Sequence, residues 1–201
     1  MAKLKLAIFV SGRGSNLQSI VNSDSLTDLV ETSYVISDKP DCKAFEFAQS
    51  RNIKTLTVGK HGSGFDEIAE ILIAEGIGLV VLAGFLKLVP AGFVSKFENR
   101  IINIHPSLLP SFGGKGMYGH FVHEAVFESG ARISGPTVHF VNSEYDKGYI
   151  IAQSAVDISM VNSPDEIAKK VLVAEHKLLP ETVALFAKQR IRILDGRVRI
   201  V

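Results

Sequence analysis

The chain has 201 residues, 46% of them hydrophobic and 21% charged, which suits a folded domain with a sizeable core and argues against disorder. Lysine and arginine number 22 against 21 aspartates and glutamates, so a net charge of +1 leaves no global footprint for nucleic acid or an anionic membrane. The single cysteine, Cys42, excludes an internal disulfide framework and a cysteine-rich zinc site, and it fits a reducing, cytoplasmic setting.

The first apolar run, Leu6 to Val10, is too short for a secretory core and meets Ser11-Gly12 at once, so no export signal is expected. It reads as the end of a buried strand, Leu4–Val10. Ser15–Asn22 follows with Leu17, Ile20 and Val21 at helical spacing. Thr32–Ser37 predicts a second strand, Asp41–Arg51 a helix, Lys54–Val58 a third strand and Phe65–Glu75 another helix. The most apolar stretch, Ile77 to Val89, falls short of the roughly 20 residues of a membrane helix, and Gly78–Ala83 within it reads as a central strand. Ile101–Ile104 is one more short strand.

The pattern then changes. Ser107–Gly119 predicts a long loop, and long loops in compact domains are usually functional. His120–Glu128 reads as a helix, and Ile133–Val141 and Tyr149–Val156 as strands. Ser163 caps a long helix that starts at Pro164 and runs toward Arg190, with a kink or break expected at Pro180. Ile191–Leu194 and Val198–Val201 flank Asp195-Gly196 as a terminal hairpin. No repeat or linker interrupts the chain. The expectation is a single Rossmann-like α/β domain, residues 1–201. Its mostly parallel central sheet is flanked by helices, and it ends in an antiparallel portion and a long helix. Ligands of such sheets bind beyond the C-terminal strand ends.

The first of those ends carries Ser11-Gly12-Arg13-Gly14-Ser15-Asn16. Glycines allow close backbone approach, and a helix start offers unpaired N–H groups, so the loop suits a phosphate. A plain strand–helix turn capped by Ser15 is the alternative. Leu17 stands where a dinucleotide loop needs a third small residue, and the Gly-Lys-Ser/Thr of a triphosphate loop is absent, which favours a phosphomonoester.

Asn103-Ile104-His105-Pro106 closes a strand, and period two puts Asn103 and His105 on one face. Two such donors can share one oxygen and stabilise an oxyanion; a satisfied polar pair at a sheet margin is the plainer reading. Asp146, in the turn before Lys147-Gly148, can fold back onto His105, raise its pKa and favour the imidazolium. Aspartate before glycine is also an ordinary turn residue. His139 is expected to be a core histidine or one that supports the catalytic groups from behind, rather than a catalytic residue. His120 and His123 lie three apart on a helix without a completing carboxylate or cysteine, so no metal is expected.

With these segments, the sequence resembles the folate-dependent formyltransferases, and among them the branch acting on glycinamide ribonucleotide. The resemblance rests on the Ser11–Leu17 loop, Val80–Phe85, Asn103-Ile-His-Pro-Ser-Leu-Leu-Pro110, Gly135–His139 with Asp146–Gly148, and Glu175-His176. It implies a one-carbon group transferase of purine synthesis with 10-formyltetrahydrofolate as co-substrate, small-molecule partners, and no nucleic acid, membrane or metal. It implies that Asn103, His105 and Asp146 are catalytic. It implies that Gly12, Arg13, Gly14, Ser15, Asn16 and Glu175 hold glycinamide ribonucleotide. It implies that Leu86, Lys87, Leu88, Val89, Asn103, Val141 and Asn142 line the folate site. A cis peptide before Pro110 is implied as well. Lys87 stands where the family usually has arginine, and Gly113–Gly119 departs from the better-known members. Transferases acting on initiator tRNA carry a further C-terminal domain and the hydrolases of the family an N-terminal one; neither is expected here. A non-catalytic nucleotide-binding module is the rival from another class.

Overall fold

Strand β1, Leu4–Val10, is buried over its last five residues, the continuous pattern of a strand covered on both faces. The computed structural model describes residues 2–201; Met1, the first residue of the expected domain, lies outside them. The chain divides into two compact units, one up to Asn103 and the other Ile104–Val201.

In the first unit β2 (Val30–Ser37), β3 (Lys54–Thr57), β4 (Leu79–Leu82) and β5 (Ile101–His105, which carries the boundary between units) join β1 in the order β3-β2-β1-β4-β5. Every pairing is parallel. Helices α1 (Ser15–Val21), α2 (Ala44–Ser50), α3 (Phe65–Ala74) and α4 (Ala91–Lys96) make the crossovers. The strand order reverses between β1 and β4, and ligands collect at such a switch point. Register puts the strand ends level: Val10 pairs with Ser37, Phe9 with Leu82, and Leu82 with Asn103. The loops after β1, β2 and β4 therefore leave from one edge of the sheet, and Asn103 lies at that edge.

Helix α4 was not expected. Six residues with one buried side chain, Phe93, are too few for a period to emerge. Phe93 belongs to an aromatic cluster that packs beneath that edge of the sheet. Phe9 is fully buried, 5.3 Å from Phe85 and 5.6 Å from Phe93, both edge-on. Phe85 thus anchors the loop after β4, while its neighbours Leu86 and Leu88 each remain 44% exposed.

The second unit begins in β5 and contains α5 (His120–Glu128), β6 (Ile133–Ser134), β7 (Thr137–Phe140), β8 (Ile150–Gln153), β9 (Val156–Asp157), α6 (Pro164–Ala187), β10 (Ile191–Leu194) and β11 (Arg197–Ile200). The two expected strands are each split. β6 pairs with β9 and β7 with β8, both antiparallel, because Gly135 and the segment at Ser154 break the runs. A Cβ at Gly135 would stand 1.8 Å from the Ser154 carbonyl oxygen. Helix α6 passes through Pro180 without a break, and Pro180 is buried on the same stripe as Ile167, Val171, Leu178, Leu179 and Val183. Packing of that stripe outweighs one missing backbone hydrogen bond. Its cap is as expected: Ser163 Oγ accepts from Glu166 N at 3.3 Å. Asp195 and Gly196, at φ +51° and +72°, close the terminal hairpin. The expected α/β class, mostly parallel with an antiparallel portion and a long C-terminal helix, is the one observed.

Replacing Phe9 by alanine opens a cavity in the middle of the aromatic cluster. The expected loss is about 3–5 kcal/mol. Urea unfolding of the variant against the parent chain measures it, and Phe9→Leu should lose less.

Candidate active site

The glycine loop of the first unit is shaped by a close approach. Gly14 has φ +73°, and a Cβ there would stand 2.8 Å from the Ala44 Cβ, so both conformation and space demand glycine. The Gly12 carbonyl accepts from Ala44 N at 3.2 Å and from the Cys42 thiol at 3.1 Å. Arg13 is exposed, Ser15 half-buried and Asn16 buried. In the loop after β4, Leu86, Lys87 and Leu88 are exposed, whereas Val89 is 3% exposed and belongs to the core. Two large apolar side chains left in solvent at a sheet's binding edge suit a ring-bearing substrate.

In the second unit the polar groups converge on Asp146. Its Oδ1 lies 3.6 Å from His105 Nδ1 and 3.6 Å from His139 Nε2, and its Oδ2 accepts from the Gly114 N–H at 2.8 Å. Both imidazoles are buried, at 3% and 2% exposure. Burial pushes the Asp146 carboxyl upward, but the His139 and His105 rings and the Gly114 amide together hold it below the usual carboxylate range, so it is ionised at neutral pH. His105 Nε2 lies 2.8 Å from the Phe112 carbonyl oxygen, which can only accept, so this nitrogen carries a proton.

The expected imidazolium is corrected here. Burial lowers the His105 pKa from its ordinary 6.5 and outweighs the opposing pull of Asp146 and of the Phe112 carbonyl. The resting ring at neutral pH is therefore neutral, with its hydrogen on Nε2.

The segment after β5 is pinned from β7 and β8. Thr137 Oγ1 donates to Ser107 O at 2.7 Å and accepts from Leu109 N at 3.0 Å, and Gln153 Nε2 donates to Leu109 O at 2.9 Å. The Leu109–Pro110 peptide is cis, as implied. Phe112 and Met117 of the long loop pack on the core of Val122, Val126, Ile158, Ile167 and Val171. A cavity of about 460 Å³ opens beside Asp146, with Leu109, Pro110, Lys147, Arg197 and Val198 in its wall.

His139 is the buried histidine expected, and its ring supports Asp146 from β7. One site member escapes the sequence reading: Gly114 donates its backbone N–H to that carboxylate. Its signal is position, since it lies in the glycine-rich loop. Glu175 is 8% exposed on the buried stripe of α6, an unusual place for a carboxylate. Val141 and Asn142 are half-buried, and Asn142 Oδ1 accepts from Glu144 N at 3.0 Å. Among the described residues no group of three or more His, Cys, Asp or Glu is placed to hold a metal ion. His120 instead meets Glu124 at 3.1 Å and Asp165 at 3.6 Å.

The Formyl transferase family model matches residues 4–183. The chain belongs to the formyl transferase family. It is 45% identical to a chloroplastic phosphoribosylglycinamide formyltransferase of Arabidopsis thaliana, over 98% of this chain and 70% of that protein. It is 33% identical to the phosphoribosylglycinamide formyltransferase of Escherichia coli K12, over 96% of this chain and 95% of that one. The crystal structure of phosphoribosylglycinamide formyltransferase from Anaplasma phagocytophilum superposes with a TM-score of 0.91 at 36% identity, covering 100% of this chain and 94% of that one.

His123 of this formyl transferase has a testable cost. It is 7% exposed, its Nδ1 has no hydrogen-bond partner among the described residues, and burial first, then His120 and His105, lowers its pKa to about 4. A depressed folded pKa contributes stability that is present above the unfolded value near 6.5 and lost as pH falls toward 4. Between pH 7 and pH 4.5, wild type should lose on the order of 2 kcal/mol more than His123→Gln, allowing for solvent screening. Urea unfolding at both pH values reads the difference.

Proposed function

We propose that Asn103, His105 and Asp146 carry out formyl transfer within one formyltransferase domain spanning residues 1–201. The reaction moves the formyl group of 10-formyltetrahydrofolate to the primary amine of glycinamide ribonucleotide, giving formylglycinamide ribonucleotide and tetrahydrofolate. The single observation that carries the assignment is the convergence of the His105 and His139 rings and the Gly114 amide on the ionised Asp146 carboxylate. The family match runs across the boundary between the two units, which supports one functional domain.

The amine nitrogen attacks the formyl carbon, a C–N bond forms, and negative charge gathers on the formyl oxygen. The Asn103 amide and the His105 Nε2–H donate to that oxygen, the ring turning its hydrogen from the Phe112 carbonyl to the stronger acceptor. Asp146 takes the amine proton through a water, the bond to folate N10 breaks, and N10 receives the proton. No side chain forms a covalent bond. Gly12, Arg13, Gly14, Ser15, Asn16 and Glu175 hold the ribonucleotide. Leu86, Lys87, Leu88, Asn103, Val141 and Asn142 line the folate site, with Val89 supporting it from the core. Lys87 offers a single positive charge where a guanidinium would offer two parallel donors.

The partners are small molecules, and the reading includes neither nucleic acid nor membrane; among the described residues no helix is long and apolar enough to cross a membrane. The cytoplasm is the proposed compartment, supported by the single free cysteine, Cys42.

A formyl-transfer assay offering glycinamide ribonucleotide, initiator methionyl-tRNA and water as acceptors tests the reading. Turnover is expected with the first alone. His105→Ala and Asp146→Asn should each lower kcat roughly 100- to 1,000-fold while ligand binding persists. Near-normal turnover in either folded variant would contradict the assignment.

A further inference from the structure

Ser11 follows β1 and opens the glycine loop, and its side chain has no part in the reaction above. It is 4% exposed. Its backbone N–H donates to the Gly84 carbonyl at 3.1 Å. Its hydroxyl donates to Asp38 Oδ1 at 2.7 Å and accepts from the Leu86 N–H at 3.0 Å. The directions are unambiguous. A carboxylate oxygen and a carbonyl only accept, so the hydroxyl's single proton goes to Asp38 and a lone pair remains for Leu86. The charge on Asp38 strengthens the first bond, and through it the second.

With Ser11 itself, three different loops meet here. Asp38 follows β2, and Gly84 and Leu86 follow β4, where Gly84 takes φ +78°. Ser11 itself is the root of Gly12–Asn16. Two bonds from one residue, Ser11 N to Gly84 O and Leu86 N to Ser11 Oγ, clasp the turn at Gly84–Leu86 to that root. The loop assigned to the ribonucleotide and the segment assigned to the folate are thus tied at a single buried side chain.

We infer that Ser11 is a positioning residue that couples the two substrate subsites through the Asp38–Ser11–Leu86 hydrogen bonds. The inference rests on the assignment of those two loops to the two substrates. A ligand that orders the glycine loop also orders the turn after β4, so the second ligand has less freedom left to remove and binds more tightly. By linkage the effect is reciprocal. A side chain that only held the fold together would change stability and leave the coupling alone.

The test uses the full chain as wild type, Ser11→Ala and Asp38→Ala. Calorimetry gives the Kd of glycinamide ribonucleotide with and without saturating tetrahydrofolate, a pair that cannot react. Steady-state assays give kcat and both KM values. Wild type should bind the ribonucleotide several-fold more tightly when tetrahydrofolate is present. In Ser11→Ala both KM values should rise about 2- to 10-fold, kcat should change less, and the coupling factor should fall toward one. Asp38→Ala, which removes the acceptor and leaves the hydroxyl in place, should shift both KM values in the same direction. It decides the matter if Ser11→Ala does not fold. A rise in one KM alone, a lower Tm with both KM values unchanged, or no coupling in wild type would each overturn the inference. Failure of wild type to formylate glycinamide ribonucleotide is a separate result: it removes the reaction assignment, and this inference with it, before any variant is compared.

Discussion

A carboxylate withdrawn from water needs partners or it takes up a proton, and the second unit is organised around meeting that need at Asp146. Four segments contribute: the end of β5 through His105, the glycine-rich loop through Gly114, β7 through His139, and the turn that carries Asp146 itself at φ +55°. Gly148 completes that turn where a Cβ would stand 1.7 Å from the Phe140 carbonyl oxygen, so β7 and the turn approach as closely as backbones can. The result is an anion that stays charged while half-buried beside a buried, neutral imidazole. That is a useful pairing for a reaction that creates one negative oxygen and must relocate one proton.

The first unit solves a different problem, which is to present loops rather than to bury a charge. Parallel strands with level ends send the connections after β1, β2 and β4 from one edge. The aromatic cluster around Phe9 packs beneath that edge, and Phe85 ties it to the loop that leaves Leu86 and Leu88 in solvent. Packed core and exposed loop are thus joined within one or two residues.

Much of this was legible in the sequence, for reasons that differ by element. Continuous apolar runs such as Leu6–Val10 and Leu79–Leu82 announce covered parallel strands. Ser163-Pro164 announces the start of α6, and Asp195-Gly196 the hairpin turn. The alternation Asn103-Ile104-His105 places two donors on one strand, and the pairing of the His105–Pro110 segment with Thr137 and Gln153 explains why the two motifs occur together. What escaped was set by tertiary contact. α4 is held by Phe93 and not by periodicity. The breaks between β6 and β7 follow from a backbone approach at Gly135 that no local preference encodes. The charge state of His105 depends on how deeply it is buried, and a sequence discloses the neighbouring carboxylate but not the depth.

The contact between Gly14 and Ala44 carries a consequence for how this protein can change. The glycine loop has no independent shape: its first glycine lends its carbonyl to Cys42 and Ala44, and its second packs so close to Ala44 that a Cβ of its own would meet that methyl group. Evolution or design that alters specificity at residues 12–16 must therefore accept, or compensate, a shift in the opening of α2. Residues thirty positions apart in the chain are inherited as one adaptive unit, and a library that randomises either stretch alone will mostly sample misfits.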